Sequence, residues 1–267
     1  MFRRDDTARV IIHTANLIPQ DWTNLTQAVW RSPLLPLLSN NNDYLPASSS
    51  PAIGTGQRFK HDLLQYFLAY GRPRTGRLVD LLTRHDFAAV RAAFIASVPG
   101  RHSTVASAGQ THWGWRGLQE VLAHVPCDKS IDRPVIVSQV SSIASLGATD
   151  TWLTTFFNTL RTTRPPRNGL PPSCKIIFPT EDEVRRSLDG YRAGASIHLK
   201  TSSATGIKQL QYLRPALCHW GEAVVPAPAS QTLLGFTKPG GQSSAKVQVA
   251  RQAGRRRAAP HVSFSVS

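Results

Sequence analysis

Short apolar runs alternate along this chain with apolar residues at helical spacing. Val10 to Ile12 form a continuous β-branched run, the pattern of a short buried strand in a parallel or mixed sheet. Phe59, Leu63, Leu64, Phe67 and Leu68 recur at helical spacing, and Gly71 stands where that helix should stop. Leu78, Leu81 and Leu82 make a second amphipathic face, and Leu118, Val121, Leu122 and Val125 a third. Val135-Ile-Val137 predicts the next buried strand, which runs into a Ser-rich turn at 141 to 145. Trp152, Phe156, Phe157 and Leu160 mark a helix, and Lys175-Ile-Ile-Phe178 another strand. Thr180 with Glu183 has the spacing of a capping box, which opens a helix over 181 to 188. Alternating strand and helix signals predict an α/β architecture. Most of these leucines and aromatics are core residues with no further role.

Two stretches interrupt the pattern. Asn40 to Gly56, rich in Asn, Ser, Pro and Gly, reads as a surface loop. From Gly221 to Ala259 periodicity dissolves into segments such as Lys238-Pro-Gly-Gly-Gln-Ser-Ser, with a basic cluster at Arg255-Arg-Arg257. That segment is expected to be disordered or a long insertion. The 267 residues suffice for one large or two ordinary domains. The formal charge of +15 comes mostly from arginine, whose planar fork of donors suits phosphate oxygens. The excess favours an anionic partner such as nucleic acid, although a solvated basic surface has the same composition. Cys127, Cys174 and Cys218 are widely spaced without a CxxC pair, which fits reduced thiols better than a disulfide framework or a zinc site. No apolar run approaches the roughly 20 residues of a membrane-spanning helix. The N-terminus has no signal-peptide core. A soluble intracellular protein is expected.

The candidate chemistry gathers where the first apolar run ends. Val10-Ile-Ile12 gives way to His13, Thr14 and Asn16, followed by Gln20, Asp21, Trp22, Gln27 and Trp30. In α/β proteins ligands sit outside strand ends, where such polar side chains are delivered. The same pattern also fits a buried strand whose polar end is merely hydrogen-bonded.

Ile12-His-Thr-Ala-Asn-Leu-Ile18, Asp21-Trp22 and Thr26-Gln27-Ala-Val-Trp30 resemble the tyrosyl-DNA phosphodiesterase family, a DNA-repair branch of the phospholipase D superfamily. The resemblance continues in order through Phe59-Lys-His-Asp-Leu-Leu-Gln-Tyr-Phe-Leu-Ala-Tyr70, Val98-Pro-Gly-Arg101 and Ser141-Ser-Ile-Ala-Ser-Leu-Gly147. It extends through Phe178-Pro-Thr180, Ser187-Leu-Asp-Gly-Tyr-Arg-Ala-Gly194 and Ala259-Pro-His261. It implies a phospholipase D-like fold, two similar α-β-α sandwich halves around a central cleft, both incomplete here. The implied division is a first domain over 1–89, part of a second over 90–220, the basic insertion over 221–259 and the start of a catalytic motif over 260–267.

The implied activity is hydrolysis of 3′ phosphotyrosyl DNA adducts in repair. One histidine attacks phosphorus to give a phosphohistidine, and a second protonates the leaving phenolate and then activates water. Imidazole suits both tasks, and lysine and asparagine stabilise the equatorial oxygens. The implied partners are single- or double-stranded DNA with 3′ adducts, bearing a topoisomerase-derived peptide as substrate. The resemblance further implies a nuclear monomer with no cofactor, no metal and no membrane attachment.

Carried over residue by residue, Asn16 matches the asparagine that accompanies the first His-x-Lys motif and would donate to a phosphate oxygen. Gln27 matches the glutamine that orients the second histidine, and His261 matches that histidine. Ser141-Ser142-Ile143-Ala144-Ser145 matches a turn that contacts the DNA backbone, with Ala144 where many relatives have glycine. Two departures stand out. The first His-x-Lys lies upstream of Val10 in relatives, and residue 263, where the second motif calls for Lys, is Ser. The polypeptide is therefore expected to be an inactive fragment; the alternative is a non-catalytic DNA-binding protein of the same descent. Val262-Ser263 can be encoded by GTGAGT, a common intron start, so Val262 to Ser267 is expected to be translated intron. His198-Leu-Lys200 spells His-x-Lys but falls out of register, with Thr at residue 205 instead of aspartate. It is expected to be a surface or DNA-facing pair.

Overall fold

The chain opens with short strands, β1 (Phe2–Arg4), β2 (Thr7–Arg9) and β3 (Ile11–His13), then a one-turn helix α1 (Pro19–Thr23), β4 (Val29–Arg31) and β5 (Leu35–Pro36). The computed structural model describes residues 2–4, 6–23, 27–39, 51–100, 102, 110–125, 135–161, 172–199, 201–219, 245–250 and 263–266. β1, β2 and β5 form one antiparallel sheet, with Ala8 opposite Leu35. β3 leaves it and pairs antiparallel with β4, placing Ile12 opposite Trp30. The apolar run Val10 to Ile12 is therefore not one strand buried in a parallel or mixed sheet. The chain changes partners at Val10, whose N–H donates to the Ser32 hydroxyl at 3.0 Å. Ser32 N–H returns a bond to the Val10 carbonyl at 2.9 Å. Past that junction β3 has a single neighbour among the described residues, and Ile12 is 42% exposed.

Two helices cover the first sheet, α2 (Gly56–Ala69) and α3 (Arg72–Thr83). Thr55 caps α2 by accepting the Arg58 N–H at 3.3 Å. A Cβ on Gly56 would lie 1.7 Å from the Phe87 carbonyl oxygen, so the helix starts against that strand of chain only because residue 56 is glycine. Phe59, Leu63 and Leu64 from α2 and Val79 and Leu82 from α3 bury themselves against Ala8, Val10, Leu35, Phe87 and Val90. Trp30 stacks on Phe59 with centroids 4.9 Å apart. Within this core Lys60 Nζ donates to the carbonyls of Thr83 and His85, both at 2.8 Å.

The rest of the molecule is built from α4 (Gly114–His124), β6 (Val135–Gln139), β7 (Ser142–Ile143), α5 (Thr151–Leu160), β8 (Ser173–Ile177) and α6 (Glu181–Arg185). A 3-10 turn over Gly190–Ser196 leads to β9 (His198–Leu199), α7 (Ala204–Leu213) and β10 (Leu217–Cys218). β11 (Ala245–Ala250) and β12 (Ser263–Val266) complete the elements. β10, β8 and β6 run parallel, and β11 and β12 add antiparallel, in the order β10-β8-β6-β11-β12. Leu118 and Leu122 from α4 meet Ile136, Phe156 and Leu160 in one core cluster. Ile143, Leu153, Ile176 and Leu213 form another. The predicted capping box is present: Thr180 accepts from Glu183 N–H at 3.2 Å, and the Glu183 carboxylate accepts from Thr180 N–H at 2.7 Å. α6 ends at Arg185 rather than 188 because the chain tightens into a turn in which Ser187 N–H bonds the Val184 carbonyl.

β11 lies within 221–259, the segment expected to be disordered or a long insertion. Its register places Val249 opposite Ser138, so it supplies hydrogen-bonding partners to the β6 edge. The remainder of 221–259, including Arg255 to Arg257, lies outside the described residues. Among the described residues no helix is long and apolar enough to cross a membrane.

An ionic cluster ties α2 to α4. Arg58 Nε meets Asp62 Oδ2 at 2.8 Å, and its Nη2 meets Glu120 Oε1 at 2.9 Å. Thr111 Oγ1 donates to Asp62 Oδ1, and His112 Nδ1 lies against Glu120 Oε2, both at 2.8 Å. Burial pushes the Asp62 carboxyl above the usual range, although Thr111 and Arg58 oppose it. Burial also pushes Glu120 up, but hydrogen bonds from His112 and Arg58 together with their charge outweigh it and leave the group below the usual range.

Candidate functional site

Asn16 and Gln27, widely separated in sequence for a single turn, are brought together by Asp21. After β3 the chain bends into α1, and Asp21 in that helix is 2% exposed. Its Oδ2 accepts from both the backbone N–H and the side-chain Nδ2 of Asn16, each at 2.7 Å. Its main-chain carbonyl accepts from Gln27 Nε2 at 3.1 Å. Thr14 Oγ1 donates to Gln27 Oε1 and accepts from Ala28 N–H at 2.9 Å. Asn16 is thus fixed through one amide hydrogen while the second remains on an exposed side chain. Gln27 is held at both ends of its amide, which sets its orientation without a choice of flip. Trp22 closes the cluster from outside: its Nε1 donates to the Asn16 carbonyl at 2.7 Å, and its ring meets His13 at a centroid distance of 5.3 Å.

A buried carboxylate holding an exposed amide is a preorganised donor. Asp21 Oδ1 is buried and has no hydrogen-bond partner among the described residues. The family resemblance gave Asn16 and Gln27 roles but gave Asp21 and Thr14 none.

The serine turn sits at the end of β6. Its Ile143 side chain is buried in the core, so that residue can offer a ligand only its backbone. Ser141 and Ser142 are half-buried, and Ala144 and Ser145 are exposed. The turn is braced from α7. Buried Gln209 accepts from Leu146 N–H at 2.7 Å through Oε1 and donates to the Ala144 carbonyl at 2.9 Å through Nε2. Tyr212 OH donates to the Gly147 carbonyl at 3.1 Å, and Gly147 takes a φ of +105° where a side chain would be strained. Gln209 and Tyr212 were missed in the sequence, where their helical spacing marks them only as one face of a helix.

His261 lies outside the described residues, so its distance from Gln27 is not defined. Lys200 is also outside them, whereas His198 is placed on β9. Among the described residues no three His, Cys, Asp or Glu side chains gather to hold a metal ion.

A family model described as tyrosyl-DNA phosphodiesterase matches residues 1–266. The probable tyrosyl-DNA phosphodiesterase of Schizosaccharomyces pombe is 26% identical over 98% of this chain and 51% of its own length. Tyrosyl-DNA phosphodiesterase 1 of Drosophila melanogaster is 36% identical over 72% of this chain and 33% of its own length. The chain spans about half the length of the first relative and a third of the second. Among solved structures, a mutant of yeast tyrosyl-DNA phosphodiesterase 1 superposes with a TM-score of 0.56 at 18% identity, covering 93% of this chain and 55% of that chain. The yeast tyrosyl-DNA phosphodiesterase crystal structure gives 0.53 at 19% identity over 80% of this chain and 49% of that chain. The fold is accordingly α/β and phospholipase D-like.

Proposed function

The chain belongs to the tyrosyl-DNA phosphodiesterase family, and from that premise we propose that it holds DNA bearing a 3′ phosphotyrosyl adduct for phosphodiester hydrolysis during repair in the nucleus. The observation that carries this reading is the Asp21-centred cluster, which fixes both amides the family resemblance implies. Asn16 donates its free N–H to a non-bridging phosphate oxygen. Gln27 orients His261, the group that protonates the departing tyrosine phenolate and then activates water. Ser141, Ser142 and Ser145, with the backbone of Ile143 and Ala144, bind the DNA backbone behind the scissile phosphate. The reaction proceeds through a phosphohistidine, with topoisomerase-derived peptide as the leaving group, and the working unit is a monomer. Cleavage needs an attacking imidazole beyond the residues assigned here.

A second reading is favoured by residue 263, which is Ser where the second His-x-Lys motif calls for Lys and which opens β12. On it the chain binds DNA without cleaving it. A single-turnover assay on a 3′ phosphotyrosyl oligonucleotide, run beside a binding titration over a range of salt, separates the two. Release of tyrosine supports the first reading; DNA binding that weakens steeply with salt, without release of tyrosine, supports the second. Robust cleavage would overturn the non-catalytic reading and require a nucleophile to be found among its histidines. Absence of DNA binding would overturn both.

A further inference from the structure

His198, which spells His-x-Lys out of family register, is left without a task by the resemblance. The structure puts it beside the serine turn. β7 and β9 run parallel, with Ser142 opposite His198 and Ile143 opposite Leu199. His198 N–H donates to the Ser141 carbonyl at 3.3 Å and so anchors the pair. Side chains at in-register positions of neighbouring strands leave the same face of a sheet. Ile143 is buried and Leu199 packs against the same cluster as Leu153, Ile176 and Leu213, which identifies that face as inward. Ser142 and His198 therefore share the opposite face, and His198 is exposed there. Neighbouring strands lie about 4.8 Å apart, so a hydroxyl and an imidazole in register are spaced to reach two oxygens of one phosphodiester.

We propose that Ser142 and His198 together form a two-point phosphate clamp for DNA, the hydroxyl donating to one non-bridging oxygen and an imidazole N–H to the other. The clamp rests on the reading of the serine turn as a DNA contact. It gives His198 a binding role, not a catalytic one, in keeping with Thr at residue 205 where a superfamily motif would place aspartate. The brace from Gln209 then acquires a purpose, because it fixes the turn against which the imidazole is registered.

The test is a fluorescence-anisotropy titration of the whole chain with a labelled single-stranded oligonucleotide at several salt concentrations. His198→Ala and Ser142→Ala should each weaken binding roughly 5- to 10-fold, and the double variant should lose less than the product of the two. His198→Arg should restore binding and steepen the salt dependence relative to His198→Ala by about 0.7 in log K against log salt, the value for one phosphate contact on a single strand. A merely structural His198 would not produce that change in slope. If the parent chain binds but all three single variants match it in affinity and slope, the clamp is wrong while the DNA reading stands. If the parent chain itself does not bind, the reading of the turn as a DNA contact fails first.

Discussion

Replacing Arg58 by Met would remove the cation at the centre of the cluster joining α2 and α4. The guanidinium side chain is 8% exposed, as is that of Asp62, while Glu120 is 23% exposed. Removing one member of a buried ion pair costs about 3–5 kcal/mol, because it leaves the partner charge desolvated and unpaired. Two partners are left here, but each retains a neutral or ionisable neighbour: Thr111 on Asp62, and His112 on Glu120. Glu120 also keeps some contact with water, which reduces its share. The expected loss is therefore near the bottom of the range, about 3 kcal/mol. With a urea dependence of about 1–3 kcal/mol per molar, the unfolding midpoint should fall by about 1–3 M. Adding Asp62→Leu to the same chain should recover part of the loss, since the most deeply buried orphaned charge is then gone. Urea melts followed by far-ultraviolet circular dichroism would measure both. An Arg58→Met variant within about 0.5 kcal/mol of the parent, the range of ordinary surface substitutions, would refute the argument that these charges are jointly buried.

Three further outcomes follow from the same structure. Glu120, held below its ordinary 4.5, contributes stability that is present above that value and lost as pH falls through its lower folded value. Asp62, raised by burial, has the opposite sign, so in acid melts Glu120→Gln should flatten the loss of stability and Asp62→Asn should steepen it. Burial pulls the Lys60 ammonium down to about 8, against the opposing charge of Asp86, so the cost of burying it is present below that pH and is relieved as pH rises towards 10.5. Stability should climb over that alkaline window by at most about 3 kcal/mol, given about 1.4 kcal/mol per pH unit, and a Lys60→Met variant should lose the slope in thermal melts. Gln209→Leu should destabilise the chain by about 1–3 kcal/mol, because it strips partners from the Leu146 N–H and the Ala144 carbonyl; unchanged stability would show that the turn finds other partners.

Helices announced themselves well. The apolar spacing in 59–68 and 118–125 returned as α2 and α4, and the Thr180–Glu183 pair returned as a capping box, because each depends on residues three or four apart. The β elements were harder, for a reason visible at Val10. A strand is defined by its partner, and the bond between Val10 and Ser32 that splits the apolar run into two ribbons joins residues far apart in sequence. Residues 245–250 repeat the lesson: Lys246 and Gln248 alternate with valines, but the signal is only six residues long and is flanked by Gly, Ser and Pro. It reads as a strand once the β6 edge is known to need a neighbour.

The site was legible in a similar, uneven way. Family wording singled out Asn16, Gln27 and the serine turn. It assigned no role to the groups that hold them, Asp21, Thr14, Gln209 and Tyr212, because a buried bracing residue is recognisable only by what it touches. Yet these groups decide whether an exposed amide or hydroxyl is a preorganised donor or a freely rotating surface side chain. Asp21 shows the difference most directly. Its Oδ2 takes two bonds from Asn16, whereas its Oδ1 is buried without a partner among the described residues. A carboxylate carrying an unsatisfied oxygen costs stability. Keeping one beneath two positioned amides is the kind of local expense that functional sites carry, and the rest of the fold must offset it.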